Sequence, residues 1–294
     1  MATFEALRDF VAPAFVVDVL NGTAFEAYGK QYDFGLYVIR NWVDPAVVAK
    51  WQGDSDEMFR GMECAHGSNA VKVNGSRCRY STVQAMTGEC LSVGYSMVGY
   101  SGTAGQPVVN LRDPKCGVLW EVLQWVHGKI GNPVQGDKPW FNHVVANRYA
   151  AGTEYMPWHT DASVLVGRNP MILSVSVGPA PGALCFAPRR GTEFGRSAAA
   201  LGKEVRGMLP LFPGDVYIVC GSFQDNLVQK TLRNAAISVP VIQSYPAVNT
   251  SIASSVEKLL RDVRDGVEKP RVVITFRRAY THLRGVSAGL SSFI

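Results

Sequence analysis

Short apolar runs closed by Gly, Pro or Asn dominate the second half of the chain: Val144–Tyr149, Met171–Val177, Ala183–Ala187, Val216–Val219 and Arg271–Phe276. Runs of this length, rich in β-branched and aromatic residues, predict strands, and their spacing predicts an antiparallel sandwich or barrel. Pro213-Gly214-Asp215 marks a turn into one of them. The first half follows other periods. Phe34–Arg40 (FGLYVIR) predicts a strand, after which Asp44 as N-cap and Pro45 at the first helical position start a helix. Gly117–Ile130 carries apolar residues at helical spacing and predicts a second helix. The Gly-, Ser- and Tyr-rich stretch from Gly61 to Gly105 predicts short strands and loops, and residues 1–30 a loosely helical extension. A further helix interrupts the strands over Ser251–Val267, with Ser251 or Ser254 as cap and Gly266 at its end. The predicted fold class is α+β, a double-sheet jelly-roll core backed by helices. It occupies residues 31–285, with a helical insertion at 250–267, between the extension and a tail at 286–294.

Composition narrows the setting. With 294 residues, 47% apolar and 18% charged, the chain can bury one large core. The net charge of +5 is spread along the sequence, which allows an anionic partner but forms no basic patch. No apolar run reaches the ~18 residues of a membrane helix, so no membrane partner is expected. Asp18 breaks the apolar stretch Phe10–Val19, which argues against a secretory signal. Six cysteines without a CxxC pair read as reduced thiols, in a cytoplasmic or nuclear monomer that is not secreted.

Three pairs of residues carry candidate chemistry. His159 and Asp161 lie two apart, so on a strand they share a face and can reach one metal, as in the two-His-one-carboxylate triad of non-haem Fe(II) oxygenases. Asn147 and Tyr149 alternate onto one face in the same way, and so do Arg271 and Arg277. Arginine forks match carboxylates bidentately, so the last pair suits a dicarboxylate. Each has a plainer reading. His159 alone reads as a core histidine, Asn147 and Tyr149 as sheet packing, and the two arginines as solvated strand residues; Asp161 at i+2 and the matched phase of the arginines favour the functional one. Arg278 faces the other side, Tyr95 and Tyr100 read as packing residues, and Ser174 and Ser176 as small packing residues near the sheet interior. No histidine lies between His159 and His282, so the second histidine of such a triad is missing.

Taken together, FNHVVANRYAAGTEYMPWHTD, PMILSVSVG, LPLFPGDVYIVCGSFQDNLVQKTL and RVVITFR resemble the AlkB family over about residues 35–280. The resemblance implies a double-stranded β-helix and an Fe(II)- and 2-oxoglutarate-dependent dioxygenase that removes alkyl groups from nucleic-acid bases, as in DNA repair, with alkylated single-stranded DNA or RNA as partner. It implies His159 and Asp161 as catalytic iron ligands, Asn147, Tyr149 and Arg271 on 2-oxoglutarate, and Arg277 completing the carboxylate pocket. The chain departs from the pattern in three places. Gln229 stands where the second iron-binding histidine is expected, and its amide is a weaker metal ligand than imidazole. Ala162 and Ser163 replace acidic residues that contact the base. The insertion between Gln229 and Arg271 could reshape or cover the cleft. Two other functions therefore stand beside the first: a catalytically silent binding module, and an oxygenase acting on a non-nucleic-acid substrate.

Overall fold

The computed structural model describes residues 14–20, 23–28, 34–61, 71–73, 76–78, 81–87, 109–130, 140–149, 152–161, 171–189, 207–221, 223–240, 253–266 and 269–279. In chain order the strands of the first half are β1 (Ala14–Leu20), β2 (Thr23–Tyr28), β3 (Phe34–Ile39), β4 (Val71–Val73), β5 (Ser76–Cys78), β6 (Ser81–Met86) and β7 (Val109–Asn110). Those of the second half are β8 (His143–Tyr149), β9 (Ile172–Ser176), β10 (Gly182–Pro188), β11 (Gly207–Leu211), β12 (Val216–Gly221), β13 (Leu227–Thr231) and β14 (Arg271–Arg277). The helices are α1 (Pro45–Gly61), α2 (Gly117–Lys129), the single turn α3 (Phe223–Asn226) and α4 (Ala253–Gly266).

Among the described residues, the major sheet has the order β1-β2-β3-β12-β9-β14-β8-β6-β7 and the minor sheet the order β11-β10-β13. Neighbours run antiparallel except β6 and β7. The central strands β9 and β14 are buried along nearly their whole length, because both faces of the major sheet are covered. On the outer face lie α1 and α2. Val48, Trp51, Ser55 and Met58 form the buried stripe of α1 at helical spacing. They join Leu119, Val122 and Val126 of α2 and Val144, Val175 and Ile274 of the sheet in one core. The Asp44 side chain caps α1, accepting from Ala46 N at 2.8 Å. Glu121 ties the two helices, accepting from Trp51 Nε1 at 2.9 Å and from Lys50 Nζ at 2.6 Å. The helices backing a double-sheet core are thus as the sequence leads one to expect.

Three expectations are refined. The loosely helical reading of residues 1–30 is wrong for Ala14–Leu20 and Thr23–Tyr28, which form an antiparallel pair with Leu20 opposite Thr23. The two-residue connection is Asn21-Gly22, the strongest short hairpin signal a sequence can carry. The helix predicted at Ser251–Val267 exists as α4, but it does not cover the cleft. Its Leu259 and Val263 pack with Cys185, Met208 and Leu232 on the outer face of the minor sheet. The turn at Pro213-Gly214-Asp215 needs its glycine, since Gly214 has φ +89 and a Cβ there would stand 3.0 Å from Val43 O. No described helix is long and apolar enough to cross a membrane. Tyr95, Tyr100, Ala162, Ser163 and His282 lie outside the described residues.

Candidate functional site

The inner faces of the two sheets enclose a cavity, and every residue singled out for chemistry reaches it: Asn147, Tyr149, His159, Asp161, Gln229, Arg271 and Arg277. Strand alternation explains the convergence. On β14 the odd positions from Arg271 to Arg277 face inward, and on β8 so do Asn147 and Tyr149. Register then places Tyr149 beside Arg271, and Asn147, Val273 and Ser176 in the next row.

At one end stands the His159 group. His159 and Gln229 form an isolated antiparallel bridge, exchanging backbone bonds of 2.8 and 2.9 Å. Residues so paired present their side chains on one side. His159 Nδ1 lies 2.8 Å from the carbonyl oxygen of Pro157. That oxygen can only accept, so Nδ1 carries the proton and Nε2 offers its lone pair. Burial lowers the His159 pKa below the ordinary histidine value; Asp161 and the Pro157 contact act against it, and Arg277 adds to it.

Asp161 is held from all sides. Its Oδ1 accepts from Arg277 Nη2 at 2.5 Å, and its Oδ2 lies 3.3 Å from Gln229 Nε2 and 3.5 Å from Gln224 Nε2. Gln224 also takes the Asp161 backbone N–H on its Oε1 at 3.0 Å. With Gln229 Nε2 turned to the carboxylate, Gln229 Oε1 is buried without a hydrogen-bond partner. An imidazole nitrogen, a carboxylate and an amide oxygen therefore line the same end of the cavity. That donor set fits a divalent cation, with harder and weaker ligation than two imidazoles give. Among the described residues no three His, Cys, Asp or Glu side chains gather around a metal position, as follows when an amide holds the third place.

At the other end lies Arg271. Its guanidinium sits 4.4 Å from the centre of the Tyr149 ring, and Nη1 donates to Asn234 Oδ1 at 3.4 Å. Nε and Nη2 are buried and unpartnered. These two form the side-on edge of the fork, the edge that takes a carboxylate bidentately. Asn147 Oδ1 is also buried without a partner. Burial pulls the Arg271 pKa below its ordinary value, but the group stays charged at any physiological pH. Room for it comes from Gly182, where a Cβ would stand 1.9 Å from Arg271 Nη1. The unpartnered charged edge fits the far carboxylate of 2-oxoglutarate. The cavity itself is small, about 50 Å³, or a few waters at ~10–15 Å³ each, so such a ligand enters by displacing water and moving lining side chains.

Several of these residues escape sequence reasoning. Gln224 lies on the one-turn helix α3, and nothing in its spacing points to Asp161. Gly182 follows Pro179-Ala180-Pro181, a glycine that reads as an ordinary loop residue. Arg278 turns away from the cavity and donates to Trp140 O at 2.8 Å, in keeping with its alternation. His143, on the inward face of β8, is fully buried with neither ring nitrogen bonded, and it does not line the cavity.

No protein-family model matches the sequence, and no curated protein does. Among solved structures, the chain is similar to the non-heme alpha ketoglutarate dependent epimerase SnoN from nogalamycin biosynthesis, with 11% identity, TM-score 0.45, and 89% of this chain and 87% of that one covered. It is similar also to a Pseudomonas putida prolyl-4-hydroxylase, with 8% identity, TM-score 0.42, and 83% and 92% covered. A third is a Trichoplax adhaerens prolyl hydroxylase in complex with a hypoxia inducible factor oxygen degradation domain peptide fragment, with 10% identity, TM-score 0.45, and 86% of both chains covered. At such low identity and score none of the three bears on this chain's chemistry, which stands on its own residues.

Proposed function

We propose that this chain is an Fe(II)- and 2-oxoglutarate-dependent oxygenase whose iron site has one histidine. The observation that carries the reading is the open Nε/Nη2 edge of buried Arg271, in the same cavity as His159, Asp161 and Gln229. Arg271 would bind the far carboxylate, with Tyr149 against its face and Asn234 fixing Nη1. His159 Nε2, an Asp161 oxygen and Gln229 Oε1 would hold the metal, and Arg277 and Gln224 would keep Asp161 in place. Iron when bound supplies O₂ activation coupled to decarboxylation of 2-oxoglutarate, so that one oxygen atom ends in succinate and the other in a C–H bond of the second substrate.

That second substrate is proposed to be an N-alkylated base in single-stranded DNA or RNA, as the AlkB-like order of motifs suggests. Hydroxylation of the alkyl carbon would leave an unstable N–CH₂OH group, which loses an aldehyde. A methylated oligonucleotide is then expected to raise succinate output over its unmethylated twin, whereas stimulation by small metabolites alone would place the substrate elsewhere. The deciding test of the oxygenase itself is succinate formation by anaerobically loaded protein after O₂ is admitted, in wild type and in Gln229→His. Turnover in wild type supports the reading.

A second reading is favoured by the Arg277 contact with Asp161 at 2.5 Å and the Gln229 amide 3.3 Å from the same carboxylate. With the carboxylate so engaged, the chain would bind a dicarboxylate without turnover. Turnover gained only in Gln229→His supports this module.

A further inference from the structure

One row of the cavity floor has no part in the site described so far. Ser174 of β9 pairs in register with Tyr217 of β12 on one side and with Thr275 of β14 on the other. Three adjacent strands thus bring a hydroxyl to the same level, all facing the cavity. All three side chains are buried, and Ser174 completely. Burying three hydroxyls is costly unless each finds a partner. Thr275 Oγ1 and Ser174 Oγ lie 2.9 Å apart, and Ser174 bonds the Tyr217 phenol. Run from Thr275 to Ser174 to Tyr217, each hydroxyl donates to the next, and the phenol proton is left for the cavity. Such chains polarise along their length, which strengthens the last donor.

The row also stands in a telling place. Along β14 it falls between Arg271 and Arg277, and the Tyr217 phenol feels the charges of Arg271, Arg277 and Asp161. Arg271 and the hydroxyl row line the same cavity, so a molecule held by one carboxylate on Arg271 would have this row within its reach. Resting on the oxygenase reading above, we propose that Tyr217 Oη donates to the second carboxylate of the bound oxo acid, and so selects a dicarboxylate over a monocarboxylate. Ser174 and Thr275 are positioning residues that orient the phenol. Burial raises the Tyr217 pKa, so the phenol keeps its proton and remains a donor through the neutral range.

The test uses full-length, metal-free protein and calorimetry with glutarate, 2-oxoglutarate and butyrate, which removes any dependence on the iron site. Wild type is expected to prefer the two dicarboxylates. Tyr217→Phe keeps the ring and should bind them about tenfold more weakly, while butyrate affinity is unchanged. Folded Tyr217→Phe with wild-type preference for glutarate over butyrate overturns the proposal. If thermal melting shows that this variant does not fold, Ser174→Ala carries the test: it removes the hydroxyl that orients the phenol, and should weaken glutarate about threefold with butyrate unmoved. Unchanged glutarate affinity in folded Ser174→Ala then overturns it. Wild type that binds no dicarboxylate would sink the oxygenase reading, and this proposal with it.

Discussion

Gly182→Ala tests the carboxylate end of the site by adding one methyl group without replacing any charged or polar residue. The new Cβ would lie 1.9 Å from Arg271 Nη1, 2.6 Å from Cδ and 2.7 Å from Cζ. The backbone has little room to yield, because Gly182 pairs with Leu211 of β11 and the next carbonyl, of Ala183, accepts from Leu232 N at 3.1 Å. Arg271 must therefore swing away from the Tyr149 ring and Asn234, and its open edge leaves the cavity floor. Two charge-assisted hydrogen bonds to a ligand carboxylate are worth about 1.5–3 kcal/mol each, so 2-oxoglutarate affinity should fall by about a hundredfold or more. Overpacking adds a stability cost of about 1–3 kcal/mol, visible in thermal melts. Calorimetry on metal-free protein reads the affinity directly. A folded Gly182→Ala protein that binds 2-oxoglutarate like wild type would refute the placement of Arg271.

Three further outcomes follow from the geometry. Asp161→Ala leaves the guanidinium of Arg277, only 12% exposed, without its partner; the loss is about 3–5 kcal/mol in urea denaturation, so this variant tests the fold as much as the chemistry. Gln224→Leu leaves the Asp161 N–H without its acceptor and removes one of the two amides on Asp161 Oδ2, and Mn(II) affinity should drop about 10–100-fold with 2-oxoglutarate affinity intact; equal metal binding would show that the bracket is idle. His143 is neutral in the fold, its pKa pushed by burial from 6.5 to about 3, but the unfolded chain takes up the proton. Stability should therefore fall as pH drops through 6.5 toward 3, by up to about 1.4 kcal/mol per pH unit, with His127 and His159 acting in the same direction. His143→Leu should flatten that slope in urea titrations, and a slope equal to wild type would refute it.

What the sequence discloses, and what it withholds, divides along one physical line. Alternation on a strand says which residues share a face, so His159 with Asp161, Asn147 with Tyr149, and Arg271 with Arg277 were readable as pairs, and all reach one cavity. The α1 start was equally plain, because Asp44 and Pro45 are local signals for a local event. The β1–β2 hairpin has its own local signal too, Asn21-Gly22 between β-rich runs, which a loosely helical reading of residues 1–30 passes over. Contacts across the fold are another matter. Gln224 reaches Asp161 over 63 residues and Arg277 reaches it over 116, and neither spacing leaves a trace in the pattern. Those contacts decide what Gln229 means. By residue type alone it is a poor substitute for a histidine ligand. In place, its Nε2 turns to Asp161 and its Oε1 is left without a partner, so the same amide both occupies the carboxylate and offers a donor to a cation. A metal entering here must share the lone pairs of Asp161 with a guanidinium and two amides. On the oxygenase reading, metal affinity would then depend on how firmly Arg277, Gln224 and Gln229 hold one carboxylate, as well as on the absent second imidazole.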